Sequence, residues 1–280
     1  MPKPYPVVPK ANPIQMEKGI LQVHDYGSIK MHVYNTRDLM DDYVFILEKA
    51  GNAVIIESPA FYTNFDELRN YLVENNINIE GILTPYHPLE ATFIQYEALA
   101  DTPVYMTQTV LDFWETGFGS VMKQGIPKHF GTKVDSAFYK QPVLLDEGAT
   151  EIAGIQLIIT DTCDGFNIEI PEIKAVYLHI LGHDAHSEIL GHEHLDEMIA
   201  NLETYTDHDY ITFLSSHYRP ETKEDALSKI EYLKGMKKIV AESATREEFI
   251  KKMKAAYPTY KDRYLPTTAG QFYGEVKEEQ

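Results

Sequence analysis

The chain has 280 residues, 44% of them hydrophobic, enough for one large domain or two small ones. Its formal charge of −18 argues against a nucleic-acid or anionic-membrane partner without a local basic patch. Its single cysteine, Cys163, excludes an intramolecular disulfide and a multi-thiolate zinc site, so any metal is held mainly by nitrogen and oxygen.

Residues 1–20 are rich in proline and read as an extended arm, lying on the body or on a neighbouring subunit. The arm points to a homo-oligomer. It lacks the apolar core of a signal peptide, and no stretch of the chain is long and apolar enough to span a bilayer. With the lone cysteine, this suits a reducing cytoplasm.

A single domain is expected over 21–256. Three β-like runs open it, at 27–34, 43–48 and 53–57, with a hairpin turn at 49–52. An amphipathic helix over 65–76 follows, then a buried strand, 78–84, that breaks at Pro85-Tyr86-His87-Pro88. Next come a helix over 89–100, a strand at 104–107 and a helix over 109–116. The stretch around Gly117, Gly119, Gly125, Pro127 and Gly131 reads as a loop. After 142–146 and a turn at 147–150, strands are expected at 155–160, 166–170 and 175–178. A helix over 194–205, a strand at 210–215 and helices at 221–233 and 245–256 complete the domain. From Tyr257 the chain reads as a polar tail without clear structure. Two mixed sheets packed face to face with helices outside, an αββα sandwich, fit this order.

Chemistry concentrates at strand ends. The window 176–196 holds His179, His183, His186, His192 and His194, five of the chain's 11 histidines, among Asp184, Glu188, Glu193 and Asp196. On a helix, His179 and His183 would share a face, with His186 three residues on. Three further apolar strands stop at His87 and Glu90, at Asp161, and at His217. Imidazole and carboxylate are the usual ligands of zinc and of iron or manganese.

The order of elements resembles the metallo-β-lactamase superfamily over about residues 40–235. There a hairpin ends in an acidic residue, here Glu57, a helix follows, and a buried strand ends in Thr-His-x-His-x-Asp-His. In this sequence Thr84-Pro85-Tyr86-His87-Pro88-Leu89-Glu90 stands in that place. Pro85 replaces the first histidine, Leu89 the aspartate and Glu90 the last histidine. The resemblance puts Asp161 at the loop ligand and His179 or Asp184 at the next one. His217 takes the ligand that ends a late strand. It implies a metal-dependent hydrolase of a small ester, lactone, amide or phosphoester, with one or two ions of zinc, iron or manganese. The metal set would be His87, Glu90, Asp161, His179, His183 and His217, with Asp184 as the catalytic candidate. Two rival readings stand beside it. One is a catalytically silent fold serving as a binding or scaffold subunit. The other is an unrelated fold whose 179–194 histidines store or sense metal.

Overall fold

Eight strands of the N-terminal half lie side by side in chain order. They are β1 Pro13–Gln15, β2 Ile20–Asp25, β3 Lys30–Asn35, β4 Tyr43–Lys49, β5 Asn52–Ile56, β6 Asn78–Leu83, β7 Val104–Met106 and β8 Val143–Leu144. This computed structural model describes residues 8–87, 101–116, 118–134, 142–179, 181–262 and 264–274. Neighbours are antiparallel from β1 to β5 and parallel from β5 to β8. A second sheet runs β14-β13-β12-β11-β10-β9. Its members are β9 Gly148–Ile152, β10 Ile155–Asp161, β11 Phe166–Ile170, β12 Ala175–Tyr177, β13 Thr212–Ser215 and β14 Tyr218–Thr222. Only its β12–β13 pair is parallel.

The period of two along each strand sets the layers. Val33 is paired with Phe45, so the two share a face, and the Phe45 ring meets Tyr177 of β12 at 6.0 Å. That face looks at the second sheet. His32 and Tyr34 point the other way. His32 Nδ1 lies 2.8 Å from the Tyr71 hydroxyl, and Tyr34 donates its own hydroxyl to Glu67 at 2.7 Å. Both partners sit on α1, Tyr62–Glu74. In β12 the neighbouring residues likewise split: Tyr177 joins the core between the sheets, Val176 the core beyond. That outer core packs Val176 and Phe213 against α4 (His192–Asp207), α5 (Lys223–Ala241), α6 (Arg246–Ala256) and α7 (Leu265–Tyr273). The stack is helix, sheet, sheet, helices, the αββα sandwich.

Several elements differ from the sequence reading. The stretch expected as a loop from Gly117 holds α3, Phe118–Phe130, directly after α2, Gln108–Thr116. Met122, Ile126 and Phe130 recur at helical spacing, and that stripe outweighs Gly119, Gly125 and Pro127. The expected polar tail contains α7, whose Leu265 and Ala269 are fully buried in the outer core. The part of the N-terminal arm at Pro13–Gln15 is an edge strand on β2. The helix expected over 89–100 lies outside the described residues, and so does Glu90.

Candidate metal centre

Five chain segments deliver three histidines and two carboxylates to one cavity. After β6, Pro85-Tyr86 turns the chain and presents His87. The turn from Thr162 to Gly165, closed by Thr162 N–H donating to Gly165 O at 2.9 Å, carries Asp164. The turn packs so closely on the β6 exit that a Cβ on Gly165 would meet Pro85 O at 2.3 Å. A side chain there would push Asp164 away. His179 follows β12, and His217 sits in the tight connection between β13 and β14. Asp42, just before β4, is held beside His217 because Tyr43 N–H donates to Ser216 O at 2.6 Å.

His87, His179 and His217 converge: one ligand atom from each lies within 4.8 Å of the others. His87 Nε2 and His217 Nε2 are 3.1 Å apart. Each ring has a carboxylate at its other nitrogen. His179 Nδ1 lies 3.1 Å from Asp164 Oδ2, His217 Nδ1 3.0 Å from Asp42 Oδ1, and His87 Nδ1 3.3 Å from Glu57 Oε1. Carboxylates there hold the Nδ1 protons and leave the Nε2 lone pairs aimed inward. His179 Nε2 is buried and has no hydrogen-bond partner among the described residues. Tyr86 stacks on His179 with ring centroids 4.1 Å apart and planes within 8°.

The carboxylates are themselves anchored. Glu57 is 1% exposed and takes a left-handed φ of 61°, uncommon for a non-glycine residue. Its Oε1 accepts from Tyr86 N–H at 3.1 Å and Tyr177 O–H at 2.9 Å. Asp164 accepts from Thr162 Oγ1 at 3.1 Å, and His194 Nε2 lies 3.9 Å away. His194 Nδ1 accepts from Leu190 N–H at 2.9 Å, so its proton sits on Nε2, facing Asp164.

Burial pushes His179 down to about 4, against the pull of Asp164, so the ring is neutral at pH 7. Burial also works to raise Asp164, but the His179 hydrogen bond and charge outweigh it and hold the carboxyl at about 2. Burial works to lower His87, and Glu57 outweighs it, leaving this ring above the ordinary histidine range. Cys163, next to Asp164, is pushed up by burial and is no ready thiolate.

No protein-family model and no curated protein matches the chain. Solved structures do. A metallo-β-lactamase family protein from Thermus thermophilus superposes with a TM-score of 0.62 at 14% identity, over 86% of this chain and 90% of that one. The chain has the metallo-β-lactamase fold. The stereoselective inverting sec-alkylsulfatase from Pseudomonas sp. also scores 0.62, at 12% identity, over 92% of this chain. This chain spans about half of that enzyme, 50% of its length. A third structure, solved in a di-iron-bound form, scores 0.52 at 14% identity, over 68% of this chain and 93% of that one.

Within this metallo-β-lactamase fold the sequence-derived ligand set divides. His87, His179 and His217 come together. His183 does not join them. None of the described residues in 178–191 is helical, and Gly182 turns the chain at φ 113°. His183 Nδ1 therefore meets Glu221 at 2.6 Å and Asp225 at 3.4 Å, in a separate cluster. Asp184 also lies outside the cavity, bonded to the Tyr218 hydroxyl and 3.5 Å from Lys261. Asp161 is not at the centre either: β10 runs through it, paired with Phe166, and its Oδ2 accepts from Thr109. The turn that follows brings Asp164 to the cavity instead, behind the His179 ring. Sequence reasoning missed Asp164 and Asp42; it named Glu57 only as the acid that ends the hairpin and His194 only within the local histidine cluster. The run Asp161-Thr162-Cys163-Asp164-Gly165 offered a signal, since the second aspartate precedes the glycine of the turn.

Proposed function

We propose that the chain is a metal-dependent hydrolase of the metallo-β-lactamase type. It acts on a small-molecule substrate with an ester, lactone, amide or phosphoester bond. The observation that carries this reading is the carboxylate at the back of each of three converging imidazoles. Metal-ligating histidines are oriented in this way. The donor set fits: two zinc ligands at about 2.0–2.1 Å and a tetrahedral angle are roughly 3.3 Å apart, against 3.1 Å for His87 Nε2 and His217 Nε2. Three nitrogens leave a coordination position open, as catalytic zinc requires, and the di-iron-bound neighbour makes iron an equal candidate.

His87, His179 and His217 would hold the ion, which when bound supplies an acidified water and a Lewis acid. Asp42, Glu57 and Asp164 hold the protons on the Nδ1 atoms. Asp164, ionised down to about pH 2, keeps a negative charge beside His179. Trp114 and Val134, both nearly buried, form part of the cavity wall.

The test is elemental analysis of untagged protein, with His87→Ala and His217→Ala. About one metal or more per chain, lost in both variants, supports the hydrolase. Negligible metal, or metal retained in both and also in His183→Ala, points to the catalytically silent fold. Metal retained in both and lost in His183→Ala points to the local histidine cluster.

A further inference from the structure

We propose that α2 and α3 build an apolar subsite over the histidine cluster, and that it takes the hydrocarbon chain of an uncharged substrate, an acyl or alkyl chain of about six to eight carbons. The reading rests on the proposed hydrolase only for the bond that reacts. Binding of the chain is a property of the apolar wall and needs no metal.

The cavity has a volume of ≈ 260 Å³. About 150 Å³ of apolar cavity holds a benzene ring, so there is room for a medium-length chain. Its lining is of two kinds. One is the three imidazoles with Asp42 and Asp164. The other is apolar: Phe113 and Trp114 come from α2, and Met122, Ile126 and Phe130 from α3. The α3 residues fall four apart and form one stripe facing the cavity. Trp114 is fixed, because its indole N–H donates to Tyr86 O at 2.9 Å, one residue from His87. This bond ties the apolar wall to the metal-binding segment. Leu39, also lining the cavity, is 73% exposed. A large aliphatic side chain left open there gives an apolar ligand a surface to slide over.

Charge narrows the ligand class. Asp42, Asp164 and Glu188 line the cavity, and none of the described lining residues is Lys or Arg. An ion at the histidines would meet the polarised group of the substrate. Among the described lining residues a second, free anionic group would find carboxylates and hydrocarbon instead. A neutral ester, lactone or amide carrying a hydrocarbon chain matches both kinds of lining.

The chain's one tryptophan is Trp114, so intrinsic tryptophan fluorescence reads this wall alone. The full chain, stripped of metal with a chelator, is titrated with butanamide, hexanamide and octanamide, then with hexanoate and octanoate. Saturable changes are expected, with Kd falling about fourfold per added methylene, the ratio that about 0.8 kcal/mol per buried CH₂ gives. The carboxylates should bind at least tenfold more weakly than the amides of equal length. Ile126→Glu should abolish the octanamide response. Val121→Glu, on the exposed side of the same helix at 56% exposure, should leave it unchanged. If Ile126→Glu lowers the melting temperature, Ile126→Ala replaces it, with an expected loss of about tenfold in octanamide affinity. No saturable response, no dependence on chain length, or equal affinity for amide and carboxylate overturns the subsite. Chain-length-dependent binding in a protein that holds no metal supports the subsite while removing the hydrolase.

Discussion

Asp42→Asn is the substitution that asks most directly whether the carboxylates behind the imidazoles serve a metal. Asp42 is 5% exposed, and its Oδ1 lies 3.0 Å from His217 Nδ1. Asparagine keeps the size and can still accept the Nδ1 proton, but it removes the charge. A hydrogen bond to a charged group contributes about 1.5–3 kcal/mol, roughly 1 kcal/mol more than a neutral one. The imidazole also becomes a poorer base, and outer carboxylates of metal-bound histidines are each worth about 10- to 100-fold in affinity, or about 1.4–2.7 kcal/mol. The expected result is therefore a 10- to 100-fold weaker Kd for zinc, measured by competition with a fluorescent chelator. The fold should persist, because α1 and both cores are untouched. Glu57→Gln would be a poorer choice: Glu57 also accepts from Tyr86 N–H and Tyr177 O–H, so a loss of metal there would mix with a loss of packing. An unchanged Kd in Asp42→Asn, with circular dichroism equal to wild type, would refute the oriented-ligand argument.

Glu221→Ala should lower stability by about 2–5 kcal/mol in urea denaturation with metal stoichiometry unchanged. It leaves the Gly182 and His183 N–H groups, each 2.9 Å from a Glu221 oxygen, without their buried acceptor. Gly165→Ala should cost about 1–3 kcal/mol or more by the same measure and weaken metal binding, because the added Cβ meets the Pro85 carbonyl at 2.3 Å. Lys229 is fully buried, donates to Gly182 O at 2.9 Å and Ala185 O at 3.0 Å, and is pushed down to about 7 by burial. The folded state therefore binds fewer protons than the unfolded state between pH 7 and about 10.5, and this group's contribution to stability rises with pH across that window. The melting temperature of wild type minus that of Lys229→Met should increase from pH 7 to 9 in the presence of a chelator; a constant difference would show that Lys229 keeps an ordinary pKa.

How much of this was legible depends on the range of the signal. The layers follow from alternation and apolar runs, which local sequence carries, so β4, β5, β6, β10, β11 and β12 were readable within a residue or two. Short edge strands such as β1, β9 and β14 carry little periodicity and were not. Gly119, Gly125 and Pro127 read as loop residues, yet α3 forms with Met122 and Ile126 packed against the main core, a tertiary effect. His87 and His217 were legible because each stops a buried strand. Of the histidines after β12, His179 reaches the centre, and the others misled through their spacing. His183 turns to Glu221, His186 to the Tyr232 hydroxyl at 3.1 Å and His192 to the Phe272 ring at 5.0 Å. His194 turns to Asp164. Each is settled by a partner distant in sequence, which no local pattern encodes.

Pro85 and Leu89 occupy positions where the family motif has ligands, and that loss invites the reading of a decayed centre. The arrangement behind the rings weighs against it. Asp42, Glu57 and Asp164 are 5%, 1% and 4% exposed, and taking carboxylates out of water costs several kcal/mol apiece after relaxation. A neutral His179 returns only part of that cost to Asp164. His87 and His217 bring two Nε2 atoms to 3.1 Å, where two lone pairs repel unless a proton or a cation lies between them. One shared proton would settle that pair but would leave the buried Nε2 of His179 without a partner. A divalent cation meets all three nitrogens and offsets the surrounding negative charge. Of the motif's four ligands only His87 is in place, yet with His179 and His217 it forms a set that fits the one ion proposed.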